Sequence, residues 1–134
     1  MADVERADDA ARGKRPLSPH ITIYRPQLTS VTSILTRITG NALIVALLLI
    51  VWWLMAAATS PTAFGWANAV ITSWFGNLVM VLSLWALWYH TLAGIRHMIW
   101  DTVAMLEMKQ AELLGWLCVG GSFMLTFLTI IIIC

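Results

Sequence analysis

A histidine stands in the longest charge-free part of the chain, where its imidazole could bind a metal. His90 lies within residues 38–95, which contain no Asp, Glu, Lys or Arg. Gly94, His97 and Asp101 follow it at intervals of four, three and four residues. Because an α-helix advances about 100° per residue, these four residues form one stripe along a helix. A polar side chain within lipid is costly, so the stripe is expected to face the interior of a bundle or a partner.

Two interpretations of His90 remain open at this point. In the first, a neutral imidazole forms a hydrogen bond to another helix; in the second, the imidazole is a metal ligand. Gly94 favours the second, since a missing side chain lets a flat macrocycle such as haem lie close to the backbone. Arg96 and His97 lie near the end of the same segment, where they could meet the propionates of a haem. Asp101 could orient the ring of His97.

A second histidine ligand for the same iron is not expected from this helix. Two axial ligands approach an iron from opposite faces, whereas His90 and His97 point the same way. The remaining histidine, His20, lies in a proline-rich segment outside the apolar runs. We therefore predict that the other ligand comes from a second chain. This protein would then be half of a heterodimeric haem-binding helical bundle.

A serine and an arginine form a second candidate site. Ser33 and Arg37 are four residues apart and share one face of a helix. In the simpler interpretation, Arg37 is an interface anchor that extends towards lipid phosphate. In the functional interpretation, the pair forms a polar pocket for a quinone headgroup at the membrane surface. The hydroxyl would donate to a quinone carbonyl, and the permanently charged guanidinium would stabilise the reduced anion.

Membrane helices are the elements that must position these residues. Of the 134 residues, 60% are hydrophobic and 11% are charged, whereas soluble domains carry about 25% charged residues. The mean hydropathy is +0.80. One crossing of the hydrocarbon core takes roughly 20 apolar residues. The apolar runs therefore predict an all-α membrane protein with three transmembrane helices near residues 33–58, 71–98 and 112–133. The turn residues of TSPTAFGWAN, residues 59–68, are expected to separate the first two.

The basic residues predict the orientation in the membrane. Six of the eight Lys and Arg residues lie within residues 6–37, and the others are Arg96 and Lys109. The positive-inside rule then places the N-terminus and the second loop in the cytoplasm and the C-terminus in the periplasm. Acidic residues near the N-terminus argue against a mitochondrial transit peptide and favour a bacterial inner membrane. Residues 1–28 are expected to form a cytoplasmic tail and an extended entry segment, and residues 29–134 the three-helix anchor.

Several other kinds of site are disfavoured by the composition. The net charge is +1, and no basic run could follow a nucleic-acid backbone. Cys118 and Cys134 do not have the CxxC spacing of cluster ligands, so we expect no iron–sulfur cluster on this chain. Because no Gly-rich dinucleotide fingerprint follows a strand, FAD is not expected on this chain either.

Two blocks of the sequence carry a resemblance to a known family. RPLSPHITIYRPQLTSVTSILTRITG, residues 15–40, and HTLAGIRHMIWD, residues 90–101, resemble the signature blocks of the cytochrome b membrane-anchor subunits of succinate dehydrogenase, respiratory complex II. The resemblance covers nearly the whole chain from Arg15 and includes the three spans and the loop charges. Two separate blocks in the same order make it specific.

The resemblance implies a role in electron transfer to ubiquinone. In this family, succinate is oxidised at the FAD of a flavoprotein subunit, and electrons pass through an iron–sulfur subunit to ubiquinone at the membrane surface. Two anchor subunits hold a b-type haem between them and help to form the quinone site. The resemblance places the axial ligand at His90, the quinone-binding residues at Ser33 and Arg37, and a haem-propionate residue at His97. No dicarboxylate chemistry is expected on this chain.

The chain departs from the family pattern at one position, and two other functions stay open. Many members of the family have a histidine near the propionates where this chain has Thr36, so Arg37, Arg96 or His97 would take over part of its role. An anchor subunit of a menaquinol:fumarate reductase would have similar pocket chemistry. A small membrane interaction protein without redox function would use His90 for helix packing alone.

Overall fold

The computed structural model of the chain describes residues 23–133. This part of the chain forms the helices α1 (Leu28–Thr59), α2 (Pro61–Ile71), α3 (Trp74–Asp101) and α4 (Met108–Ile133). The predicted cytoplasmic tail, most of the predicted entry segment, and Cys134 lie outside the described residues.

Three of these helices are long and apolar enough to cross a membrane. α1, α3 and α4 contain 32, 28 and 26 residues. The shortest is about 39 Å long at 1.5 Å per residue, which exceeds a hydrocarbon core of about 30 Å. The prediction of an all-α protein with three long apolar helices is confirmed. α1 begins earlier than its apolar run and α3 ends later, because continuing the helix keeps the backbone groups at the interface paired.

The segment between the first two long helices differs from the predicted turn. The chain breaks at Ser60, which has an extended backbone, and then forms the short helix α2. The Ser60 hydroxyl accepts a hydrogen bond from the amide of Ala63 at 3.1 Å, and Pro61 occupies the first helical position. Serine at the N-cap followed by proline is a helix start, so the same two residues that end α1 begin α2.

α3 lies between α1 and α4 and packs against both. The buried residues along these contacts are mostly small, which lets the helix backbones approach closely in a membrane. They include Ala46, Ala86, Ala93, Ala111, Cys118 and Ser122. The large aliphatic side chains point outwards and are exposed, as expected for surfaces that face lipid or a partner chain.

The start of α1, the end of α3 and the start of α4 come together, and we call this the site end of the bundle. Arg96 of α3 donates a hydrogen bond to Thr32 of α1 at 2.9 Å. A Cβ atom added to Gly115 of α4 would lie 3.2 Å from Leu28 of α1. All of the residues predicted for the two sites lie in this end of the bundle or just inside it.

Candidate functional site

The His90 ring lies against α1. Its Nδ1 atom is 3.2 Å from the backbone carbonyl oxygen of Thr36 and 3.4 Å from the hydroxyl of Thr39. A Cβ atom added to Gly40 would lie 3.0 Å from the His90 Cε1 atom, so the ring rests directly on the α1 backbone at this glycine. We call Thr36, Thr39 and Gly40 the ring seat.

These contacts fix which ring nitrogen is free. A carbonyl oxygen accepts hydrogen bonds and cannot donate them, so Nδ1 must carry the hydrogen in its contact with Thr36. A neutral imidazole carries one ring hydrogen, which leaves Nε2 with an unshared electron pair. Metal-binding histidines have this arrangement, with one nitrogen donating to a carbonyl and the other on the metal. His90 therefore makes the interhelical hydrogen bond of the first interpretation and keeps a nitrogen available for the second.

Open space adjoins Gly94, one turn from His90 on the same face of α3. A Cβ atom added to Gly94 would meet no heavy atom within 4 Å, although the residue is half-buried. A macrocycle bound through the His90 ring would need such a surface beside the backbone. The two residues together fit a planar iron-containing group.

His97 continues the stripe towards the site end and is exposed. Its Nδ1 atom lies 2.7 Å from the backbone carbonyl of Ala93, and its ring meets Trp100 edge-on at 5.4 Å between centroids. The carbonyl of Ala93, rather than Asp101, therefore occupies the Nδ1 side of this ring. By the same reasoning as for His90, Nε2 of His97 is the nitrogen that can meet a ligand.

Arg96 does not lie on the same face as His90 and Gly94, in contrast to its predicted place near the propionates. It is 2% exposed and donates from Nη1 to the hydroxyl of Thr32. Its guanidinium also stacks over the Trp100 ring, 4.7 Å from the centroid. Arg96 is the sixth residue after His90, and this step turns its side chain about 120° away from the stripe and into the bundle.

Ser33 and Arg37 lie beside the ring seat on α1. Ser33 is half-buried and Arg37 is exposed. Arg37 follows Thr36 directly, so its side chain starts next to the carbonyl that His90 uses. The Thr36 hydroxyl donates to the carbonyl of Thr32 at 2.8 Å, so this residue serves the site through its backbone and not its side chain.

The structure adds residues that the sequence analysis did not single out. Thr39 is 2% exposed and contacts His90, while Tyr89 is fully buried and donates to the carbonyl of Thr32 at 3.0 Å. Thr32, Thr36 and Thr39 repeat at intervals of four and three residues, so they form a threonine stripe on α1 that faces α3. This spacing was visible in the sequence as a polar stripe within an apolar run.

Beyond His90, on the side away from the site end, side chains of α1 and α3 line an apolar cleft. Its volume is about 360 Å³. It is lined by aliphatic residues and one serine, including Leu43, Leu47, Ile50, Met80, Ser83 and Leu87. Ser83 and Leu87 lie on the same face of α3 as His90, so the cleft continues the His90 face into the bundle.

Comparisons with known proteins find a matching family and several relatives. The family described as succinate dehydrogenase/fumarate reductase transmembrane subunit matches residues 11–129. The succinate dehydrogenase cytochrome b556 subunit of Paracoccus denitrificans is 50% identical over 124 residues, which cover 92% of this chain and 95% of the relative. The cytochrome b556 subunit of Rickettsia conorii is 40% identical over 115 residues, 86% of this chain and 90% of the relative. The cytochrome b560 subunit of Reclinomonas americana is 34% identical over 123 residues, which cover 88% of this chain and 85% of the relative.

These matches confirm the resemblance seen in the two sequence blocks. The family match spans both blocks, α1, α3 and most of α4, and the relatives are covered to 85–95% of their length. The chain belongs to the family of succinate dehydrogenase and fumarate reductase transmembrane subunits.

Proposed function

We propose that this chain is the cytochrome b membrane-anchor subunit of a succinate:ubiquinone oxidoreductase. The observation that carries the proposal is the His90 ring, whose Nδ1 faces the Thr36 carbonyl at 3.2 Å while Nε2 is left for a metal. Gly94 supports it by leaving open space one helical turn from His90 on the same face of α3. The names of the relatives support it independently, since they are succinate dehydrogenase cytochrome b subunits.

The haem-binding half-site consists of residues on α1 and α3. His90 would hold the haem iron through Nε2, Gly94 would provide a surface for the macrocycle, and Arg37 and His97 would provide exposed cationic or donor groups for the propionates. Arg96 is left out of this set because its guanidinium is already held by Thr32 inside the bundle. When bound, a b-type haem supplies a one-electron redox centre. The second axial histidine comes from a second anchor subunit.

The quinone site lies at the start of α1. The Ser33 hydroxyl donates a hydrogen bond to a carbonyl oxygen of the ubiquinone headgroup, and Arg37 offsets the negative charge of its reduced form. Water at the membrane surface supplies the protons. The electrons come from an iron–sulfur subunit, which receives them from the FAD of a flavoprotein subunit. Succinate itself reacts on that partner, and this chain carries no dicarboxylate chemistry.

The proposed location is a bacterial inner membrane, with the site end facing the cytoplasm. Arg25, Arg37 and Lys109 lie at or near this end, as the positive-inside rule requires of a cytoplasmic surface. The end of α4 then lies at the periplasmic side. In this orientation the quinone site faces the compartment in which the soluble subunits oxidise succinate.

The deciding experiment is an optical spectrum of the purified complex with and without the proposed ligand. His90→Leu should abolish the haem bands in the reduced-minus-oxidised spectrum, while size-exclusion chromatography still detects the assembled subunits. Thr91→Leu is the matched control, because Thr91 is the next residue but is exposed and bonds only to Leu87 in its own helix. An unchanged haem spectrum in His90→Leu would reject the ligand assignment. A wild-type complex without haem would reject the cytochrome function and favour a non-redox interaction protein.

An anchor subunit of a menaquinol:fumarate reductase is the second candidate. The matched family includes fumarate reductase subunits in its description, and the Ser33 and Arg37 side chains suit either quinone headgroup. Extraction of the quinone that copurifies with the complex distinguishes the two. Ubiquinone supports the proposal, whereas menaquinone favours fumarate reduction.

A further inference from the structure

The ring seat contains the hydroxyl of Thr39, whose hydrogen is already donated to the backbone of α1. The Thr39 Oγ1 atom lies 2.9 Å from the carbonyl of Leu35 and 3.0 Å from the carbonyl of Thr36, so its hydrogen is directed to the α1 backbone. Its electron pairs remain free to accept, and Oγ1 lies 3.4 Å from Nδ1 of His90. The Nδ1 hydrogen is therefore shared between the Thr36 carbonyl and the Thr39 hydroxyl.

The floor of the seat is Gly40. A methyl group at this position would lie 3.0 Å from Cε1 and 3.5 Å from Nδ1 of His90. Contacts at 3.0 Å are shorter than van der Waals distance, so any side chain larger than hydrogen would push the ring away from α1. The distances from the ring to its two acceptors would then increase, since both lie on the same helix.

We propose that Thr39 and Gly40 are positioning residues for the haem ligand, which hold the His90 ring with Nδ1–H towards α1 and Nε2 towards the iron. This inference rests on the proposed haem function and adds residues that act on the iron through His90. Both residues would set the plane of the imidazole and the electron density that it gives to the metal.

The direction of the effect follows from the hydrogen bonds. An acceptor on Nδ1–H raises the basicity of the imidazole, and a more basic ligand stabilises ferric over ferrous iron. Removing the Thr39 hydroxyl leaves the Thr36 carbonyl as the remaining acceptor. The haem should therefore become easier to reduce, and its midpoint potential should rise.

The first test compares two substitutions of Thr39 in the assembled complex by redox titration of the haem band. Thr39→Val keeps the shape of the side chain but removes the hydroxyl. It should raise the ferrous-to-ferric ratio at a fixed potential about threefold, which corresponds to a rise of about 28 mV in the midpoint potential of a one-electron couple. Thr39→Ser should restore the wild-type potential. Thr59→Val is the control, because Thr59 makes the same kind of bond to its own helix but lies at the opposite end of α1.

The second test uses the glycine and does not depend on the hydroxyl. Gly40→Ala should tilt the ring and change the low-spin ferric signal in electron paramagnetic resonance, which is sensitive to the planes of axial imidazoles. Gly120→Ala, in α4, is the matched control because a Cβ atom there meets nothing within 4 Å. This variant keeps the proposal testable when Thr39→Val does not assemble.

The outcomes separate this proposal from the haem assignment. Suppose that haem binding depends on His90. An unchanged midpoint potential in Thr39→Val together with an unchanged resonance signal in Gly40→Ala would then overturn the positioning role alone. Equal shifts in Thr39→Val and Thr39→Ser would overturn the role of the hydroxyl. A complex without haem would instead overturn the proposed function on which the inference rests.

Discussion

Replacing Thr32 with valine should destabilise the bundle, because the buried guanidinium of Arg96 loses its acceptor. Valine keeps the volume of threonine and removes Oγ1, which accepts from Arg96 Nη1 at 2.9 Å. The Nε atom of Arg96 is already buried without a partner among the described residues. The variant therefore leaves a second donor of the same cation unsatisfied.

The size of the effect depends on the charge of the donor. Hydrogen bonds between neutral groups in membrane proteins contribute about 0.6 kcal/mol on average, whereas those to charged groups contribute about 1.5–3 kcal/mol. Arg96 is 2% exposed, so water replaces little of the lost bond. We expect a coupling energy between the two side chains of about 1–2 kcal/mol. The stacking of Arg96 on Trp100 is present with and without Thr32 and cancels from the coupling.

A double-mutant cycle measures this coupling. Thr32→Val, Arg96→Met and the double variant would be unfolded with increasing sodium dodecyl sulfate from the detergent-solubilised complex. Thr126→Val is the control, since its buried hydroxyl donates only within α4, to Ser122 at 2.7 Å. Independent sites add within about 0.5 kcal/mol, so a coupling below that value would refute the assignment of Thr32 as the partner of the buried cation.

Three further predictions concern the site and the turn before α3. Arg37→Ala should lower the reduction of quinone by succinate about tenfold, the loss of about 1.4 kcal/mol of stabilisation, but spare succinate oxidation by a soluble dye; equal losses would contradict a quinone role. Gly94→Leu should assemble with reduced haem content, because the position adjoins open space, and Gly120→Leu should keep its haem; equal contents would refute the haem surface. Gly76→Ala should destabilise the complex by about 1–3 kcal/mol, because the added methyl overlaps carbonyl oxygens at the end of α2; an unchanged melting temperature would contradict this.

The three long helices could be predicted because lipid allows few alternatives. Charge-free runs long enough to cross a bilayer must pair their backbone groups internally, and a helix does this within one segment. The connection at residues 59–68 was predicted less well, since serine followed by proline ends one helix and also begins another. The same residue types serve both roles, and the N-cap geometry of Ser60 shows that here they also begin a helix.

Helical periodicity predicted the common face of His90, Gly94 and His97, but proximity in sequence was a poor guide for Arg96. That residue was grouped with His97 because both lie near the end of α3, whereas the 100° step per residue turns it into the bundle. The Thr36 carbonyl could not have been predicted from residue types, because every residue has one. Its role depends on how α1 and α3 pack, which is a tertiary property.

The polar contacts between α1 and α3 are concentrated on one side of His90. Tyr89 and Arg96 both bond to Thr32, and His90 bonds to the carbonyl one turn further along. On the other side of His90 the two helices line the apolar cleft of about 360 Å³. His90 thus lies between the hydrogen-bonded part of the helix pair and the part that lines this cleft. The contacts that orient the ring are therefore directional ones, to the Thr36 carbonyl and the Thr39 hydroxyl, and not the aliphatic contacts of the cleft.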